Sequence, residues 1–171
     1  ETTITIHLVP DVTYVARQNQ KPSIVYSGYL NGAMALKQVQ VDESSHPQTA
    51  KLLKTLQHFE NWKQETLRKA YSELGSHQRD YCEEFDLTRL HPYSQTDLAY
   101  ALGLSGSTIS RILKGRVIAV RNLGDEEKLL YANDLFVSRE SMKAYAAIPT
   151  LNQLFTEEFR EKKAGSDQML S

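Results

Sequence analysis

The sequence predicts a mainly α-helical protein with a small antiparallel β element at the N-terminus and a very long helix followed by a helix-turn-helix. Three observations support this fold class. Apolar residues recur at helical spacing from Gln48 to about Phe85, with no internal proline. Two short helical patterns follow on either side of Gly103. Ahead of both, residues 3–26 contain short runs of strand-like composition.

The first segment, residues 1–46, is expected to form the β element. Ile4, Ile6 and Leu8 alternate with polar residues at the two-residue period of a strand with one buried face. Val12–Ala16 and Ser23–Tyr26 repeat strand-like composition around a turn, which favours a small antiparallel sheet. Between Gly28 and Gln40 the signals are mixed and favour a short helix. Pro10 separates the first of these runs from the second.

The second segment, residues 47–90, is predicted to be the extra-long helix. Pro47 suits the first turn, and an unbroken helix from Gln48 to Phe85 would have about 38 residues and a length of about 57 Å. Charged residues between 51 and 89 balance at seven basic and seven acidic, so the outer face is expected to carry solvated ion pairs. Two antiparallel helices, broken near Asn61 or Gly75, are the alternative. Gly75 on its own is expected only to weaken helicity.

The third segment, residues 91–138, contains the helix-turn-helix pattern. The small Ala99 allows two helices to approach closely, and Gly103 can adopt the left-handed conformation that ends the first helix. The apolar wedge between the helices is formed by Leu98, Leu102, Leu104, Ile109 and Ile112. An ordinary helical hairpin in a protein core is the simpler alternative. The combined offsets of alanine, glycine and isoleucine favour the DNA-binding motif.

The outward face of the second helix is polar at its start and basic further on, as a helix in a major groove requires. Arg111 lies one turn into the helix and could reach a base edge, whereas Arg121 lies beyond it and could reach only phosphate. Residues 91–121 carry four basic and one acidic side chain, although the whole chain has a net charge of −1. The predicted DNA contacts are Ser105, Gly106, Ser107, Thr108, Ser110, Arg111, Lys114, Arg116 and Arg121.

A small β wing could follow the helix-turn-helix. Arg116–Val120 is rich in β-forming residues, Asn122–Asp125 has turn composition, and Lys128–Ala132 can return as a second strand. Leu135 and Phe136 would then anchor the end of this segment. A wing in this position would complete a winged helix-turn-helix.

The last segment, residues 139–171, is predicted to be a linker followed by the truncated start of another domain. Arg139–Pro149 is interpreted as the linker, and Thr150–Lys163 as an amphipathic helix that ends at Gly165. Ser166 would cap a further helix. Since the chain starts without methionine and stops just after this cap, it is interpreted as an excised fragment.

Five ordered stretches of this sequence resemble the sigma-54 (RpoN) family of bacterial transcription initiation factors. The most specific is the STISR of Ser107–Arg111, which stands behind an ALGL turn at the right distance from a long helix. The resemblance runs through nearly the whole chain. The stretches are VPDV (9–12), AKLLKTLQHFENWKQETL (50–67), HQRDY (77–81), DLAYALGLSGSTISRILKG (97–115) and LFVS (135–138).

The resemblance implies a role for each segment. Residues 1–42 would be the tail of the region that binds core RNA polymerase, 48–85 the family's extra-long helix, and 97–114 the helix-turn-helix near the −12 promoter element. Residues 150–171 would begin the domain whose later helix reads the −24 element. The implied partners are promoter DNA and core RNA polymerase, with ATP-dependent activators acting only through an N-terminal region that this chain lacks. The implied location is the bacterial cytoplasm.

Other function classes find little support in the residues. There is no phosphate-binding glycine loop and no nucleophile with a placed base, so we expect no catalysis and no cofactor. A single cysteine, Cys82, and five scattered histidines do not suggest a metal site, and no apolar run approaches a membrane span. Two alternatives stay open: a stand-alone winged helix-turn-helix regulator that dimerises on a palindrome, and an interaction scaffold whose helix-turn-helix reads no bases.

Overall fold

The computed structural model describes residues 8–28, 30 and 39–148. Within these ranges the strands are β1 (Val12–Arg17), β2 (Gln20–Tyr26), β3 (Val117–Arg121) and β4 (Glu127–Tyr131). The helices are α1 (Pro47–His77), α2 (Arg79–Glu84), α3 (Gln95–Leu102), α4 (Gly106–Leu113) and α5, which covers residues 139–148. Two 3₁₀ turns lie at Leu87–Arg89 and Ala132–Leu135.

The four strands form one mixed sheet in the order β2-β1-β3-β4. Strands β1 and β2 are antiparallel, as predicted, but β1 also pairs in parallel with β3, with Thr13 opposite Ala119. The hairpin of β3 and β4 therefore extends the N-terminal sheet, and the expectation of a separate wing is not confirmed. The reason is the apolar β3 sequence: Ile118, Ala119 and Val120 are fully buried, which requires cover on both faces of the strand.

Helix α1 is long but ends earlier than predicted. It has 31 residues, which gives a length of about 46 Å, and it runs without a break through Asn61 and Gly75. The predicted continuation to Phe85 is wrong, because the chain turns at Gln78 before α2 begins. The Gln78 side chain is fully buried and stabilises this turn, since its amide donates to the carbonyl oxygens of His91 and Leu135, both at 2.8 Å, and accepts from the His91 N–H.

The core lies between the second half of α1 and the sheet. Gly75 packs against the ring of the fully buried Tyr14, and a Cβ atom at this position would lie 2.5 Å from Tyr14 Cε1. The Tyr14 hydroxyl donates to the Tyr71 carbonyl oxygen at 2.6 Å, which fixes the ring. Gly75 is therefore required for close packing of α1 on β1, and the expectation that it only weakens helicity is wrong.

The first half of α1 differs from the second, because no residue between 51 and 63 is buried. Apolar side chains that recur there at helical spacing are exposed, with fractional exposures of 60% for Leu52, 46% for Leu56, 55% for Phe59 and 37% for Trp62. This half of the helix extends beyond the core formed by the described residues.

The chain after the sheet is helical where a linker was predicted. Residues 139–148 form α5, and Ser138 caps the helix by accepting a hydrogen bond from the Ser141 N–H at 3.0 Å. The linker interpretation missed this cap. The predicted strand at residues 3–8 and helix at 28–40 fall largely outside the described residues, and the predicted helix at Thr150–Lys163 falls entirely outside them.

Candidate nucleic-acid interface

Helix α3 begins with a reciprocal capping box. The Ser94 hydroxyl accepts from the Asp97 N–H at 3.1 Å, and the Asp97 carboxylate accepts from the Ser94 N–H at 2.9 Å. The Ser94 side chain, which also donates to this carboxylate, holds the pKa of Asp97 below its usual value. These bonds fix the start of α3 in an exposed part of the molecule.

A tight turn joins α3 to α4. Gly103 ends α3 in the left-handed conformation with φ of 67°, and the Leu104 N–H donates to the Ala99 carbonyl oxygen at 2.8 Å. Ser105 then caps α4 by accepting from the Thr108 N–H at 3.2 Å. The turn therefore has the glycine at the position and in the conformation that the sequence predicted.

An apolar wedge holds α3 and α4 together and against α1, which contacts both helices. Its fully buried members are Leu98 and Ala99 from α3 and Ile109 and Leu113 from α4. Leu102, Leu104 and Ile112 pack partly buried around them. Because three elements share this wedge, α4 is held in a fixed position with its opposite face in solvent.

The residues of α4 that were predicted to contact DNA differ in their exposure to solvent. Ser107, Ser110, Arg111 and Lys114 are exposed on its outer side. Gly106 and Thr108 are half-buried. Ser105 is exposed, but its hydroxyl is engaged in the cap and lies 3.0 Å from the Ser107 hydroxyl and 2.8 Å from that of Thr108. The outer face of α4 thus presents two hydroxyl groups and two cationic side chains.

The two remaining predicted contacts take part in ion pairs. Arg116 Nη1 lies 2.9 Å from Asp11 Oδ2, and both side chains are largely buried, with exposures of 19% and 17%. Arg121 Nη2 lies 3.1 Å from Glu127 Oε2 in a half-exposed pair across the β3–β4 hairpin. Both arginines follow α4 in the chain, and a carboxylate engages each guanidinium group.

A groove of about 570 Å³ lies beside the C-terminal end of α4. Its lining includes Arg111 and Lys114, the ion pair of Arg116 and Asp11, and Phe59 and Lys63 of α1. Phe59 and Lys63 were not predicted as site residues, because both belong to the long helix. There Phe59 is part of the apolar pattern, and Lys63 is one of the charged residues expected on the outer face. Lys63 therefore lies near Arg111 and Lys114 beside the end of α4, and such a group of cations suits a polyanion.

The rest of the described chain offers little other chemistry. No cluster of three or more His, Cys, Asp and Glu side chains that could hold a metal occurs in residues 8–28, 30 and 39–148. Burial raises the pKa of Cys82 to about 12, so its thiol stays protonated at neutral pH. Over the same residues, no helix has the length and apolar character needed to span a bilayer.

Comparison with known families agrees with this geometry. The model of the family described as "Sigma-54, DNA binding domain" matches residues 43–171, which is most of the chain and includes α1, α3 and α4. Comparison with curated proteins gives no match. Because the family match covers well over half of the sequence, it establishes the family. The chain is a member of the sigma-54 DNA-binding domain family.

Proposed function

We propose that this chain binds promoter DNA at the −12 element through α4, as part of a bacterial sigma-54 type initiation factor that also binds core RNA polymerase. The observation that carries the proposal is the exposed polar and basic face of α4 on a helix fixed at its start and along its buried side. A rigid helix of this kind can enter a major groove with little loss of conformational entropy.

The side chains have separate roles in this proposal. Ser107, Ser110 and Arg111 face the base edges, where Arg111 can donate two hydrogen bonds to a guanine. Lys114 and Lys63 hold the phosphate backbone along the groove beside α4. Base readout and phosphate contact then lie next to each other, as they do in other helix-turn-helix proteins.

The exposed apolar residues of α1 support the proposal that the chain also binds core RNA polymerase. Leu52 and Leu56 lie one turn apart on the same helix face and are about half exposed or more. Apolar side chains grouped on one surface mark protein-binding sites more often than isolated ones do. We assign this face to core RNA polymerase, while ATP-dependent activators would act through a region N-terminal to this chain.

DNA binding can be tested with the 171-residue chain and a fluorescent duplex. Anisotropy titrations should show salt-sensitive binding with a modest preference for a −12 sequence, since few base contacts are made. Sedimentation of the free chain should give a monomer. A dimer that prefers a palindrome would instead support a stand-alone regulator, and absence of DNA binding at low salt would support an interaction scaffold.

Polymerase binding can be tested by pull-down with core enzyme. We expect weak binding by this chain and severalfold stronger binding by a chain extended at its N-terminus. The double substitution Leu52→Ser and Leu56→Ser should lower binding, whereas the control Thr55→Ser on the same turns of α1 should not. Equal binding by the short and extended chains would contradict the assignment of residues 1–42 to a core-binding region.

A further inference from the structure

The Arg116 side chain folds back onto the end of α4 and does not extend into solvent. Gly115, with φ of 69°, turns the chain after the helix, and Arg116 follows it directly before β3. Arg116 Nε donates to the Ile112 carbonyl oxygen at 2.6 Å, which satisfies one of the unpaired carbonyl groups in the last turn of α4. The positive charge also lies at the negative end of the helix dipole.

Asp11 connects this arginine to two other elements. Its Oδ2 atom accepts from Arg116 Nη1 at 2.9 Å and from the Tyr71 hydroxyl at 2.7 Å. Tyr71 lies in the buried part of α1, and the Asp11 backbone N–H donates to the Val117 carbonyl oxygen at 2.9 Å. The carboxylate thus joins the end of α4, the start of β1 and the long helix.

We propose that Arg116, Asp11 and Tyr71 form a positioning relay that fixes the orientation of α4 relative to α1, so that Arg116 acts through this relay and not as a phosphate contact. The consequence for DNA rests on the proposed function of α4. An ion pair that is more than four-fifths buried keeps a defined geometry, because either charge left alone there would be poorly solvated. Arg116 is therefore a positioning residue for DNA recognition.

The two possible roles of Arg116, direct phosphate contact and positioning of α4, predict opposite effects of Asp11→Asn on DNA binding. If Arg116 bound phosphate, Asp11→Asn would release its charge and strengthen binding, and Arg116→Gln would lower the salt slope by about one unit. If the three residues form a positioning relay instead, Asp11→Asn and Arg116→Gln should each weaken binding to a matched promoter severalfold and leave the salt slope unchanged. The double variant should then bind about as weakly as either single variant, because both remove the same interaction.

The DNA experiment uses anisotropy with matched and −12-mismatched duplexes. Tyr71→Phe, which removes only the hydroxyl group, should give a smaller effect in the same direction. The control is Lys69→Gln, which removes one partner of the exposed Lys69–Glu65 pair on the outside of α1 and should leave binding unchanged. Stronger binding by Asp11→Asn, or a salt slope reduced by Arg116→Gln, would overturn the relay.

A measurement without DNA keeps the test independent of the proposed function. Spin labels on the exposed Ser72 of α1 and Ser110 of α4 would report the distance between the two helices, and buried Cys82 should stay unlabelled. Arg116→Gln and Asp11→Asn should broaden or shift this distance distribution. An unchanged distribution would refute the relay, whereas a changed distribution together with no DNA binding by the unlabelled chain would refute only the proposed function.

Discussion

Replacing Gly75 by alanine tests how α1 packs on the sheet. In an exposed helix interior this change stabilises by about 1 kcal/mol, because alanine is the better helix former. Here the new Cβ would lie 2.5 Å from Tyr14 Cε1, 3.0 Å from Cδ1 and 3.2 Å from Cζ. The ring cannot rotate away easily, since Tyr14 is fully buried and its hydroxyl is bonded to the Tyr71 carbonyl oxygen.

The size of the effect follows from these contacts. Carbon atoms pack best at about 3.5–4.0 Å, so the ring or the helix must move by about 1 Å. Overpacking of this kind costs about 1–3 kcal/mol, and loss of the Tyr14 hydrogen bond would add about 1 kcal/mol. After subtraction of the gain in helix propensity, Gly75→Ala should lower the free energy of unfolding by about 1–3 kcal/mol.

Urea unfolding followed by circular dichroism measures this change, with two controls. Gly106→Ala adds a Cβ in helix α4 that meets only Thr96 Oγ1, at 3.9 Å, and should be neutral or stabilising. In a Tyr14→Leu background the ring is gone, so Gly75→Ala should lose most of its cost, with a coupling energy of about 1–2 kcal/mol. A neutral or stabilising Gly75→Ala in the unmodified chain would refute the close packing of α1 on β1.

Three other substitutions test the core, the turn at Gln78 and a buried carboxylate by the same unfolding assay. Leu74→Ala should cost about 2–5 kcal/mol because Leu74 is fully buried, and a cost no larger than that of exposed Leu52→Ala would contradict its place in the core. Gln78→Ala should cost about 2–4 kcal/mol, since it removes the partner of the buried Leu135 carbonyl oxygen and of two part-buried backbone groups of His91, and a cost as small as that of an ordinary surface substitution would contradict the role of Gln78 in the turn. The Asn19 N–H and the Arg89 guanidinium hold the pKa of Glu83 below its usual value, so its contribution to stability is present above about pH 4.3 and is lost as the pH falls through the lowered pKa. The Glu83→Gln variant should therefore be less stable than the unmodified chain at pH 7 and lose less stability on acidification. Parallel pH profiles of the unfolding free energy for the two chains would be inconsistent with this role.

The local parts of the fold could be predicted because they follow from short sequence patterns. Strand-like composition around a turn predicted β1 and β2, Pro47 marked the start of α1, and Gly103 marked the turn between α3 and α4. The outward face of α4 also follows from helical period, which is why Ser107 and Arg111 were placed correctly in solvent.

The remaining parts depend on partners that are distant in sequence. Gln78 breaks the long helix because its amide meets Leu135, 57 residues away, and no local signal marks it as a helix end. Arg116 looks like a surface cation in the sequence, but its partner Asp11 lies 105 residues earlier. The parallel pairing of β1 with β3 joins segments that lie on either side of helices α1–α4 in the sequence, so a local pattern indicated only a wing.

The most direct test of the proposed function is the effect of Arg111→Ala in the full-length factor on matched and −12-mismatched promoters. Arg111 lies exposed on α4, so the variant should lose about 1–3 kcal/mol of binding free energy on the matched promoter and much less on the mismatched one. Lys114→Ala should weaken both promoters alike and lower the salt slope by about one unit, as expected for a phosphate contact. Equal losses on both promoters for Arg111→Ala would contradict the central claim that α4 reads the promoter sequence.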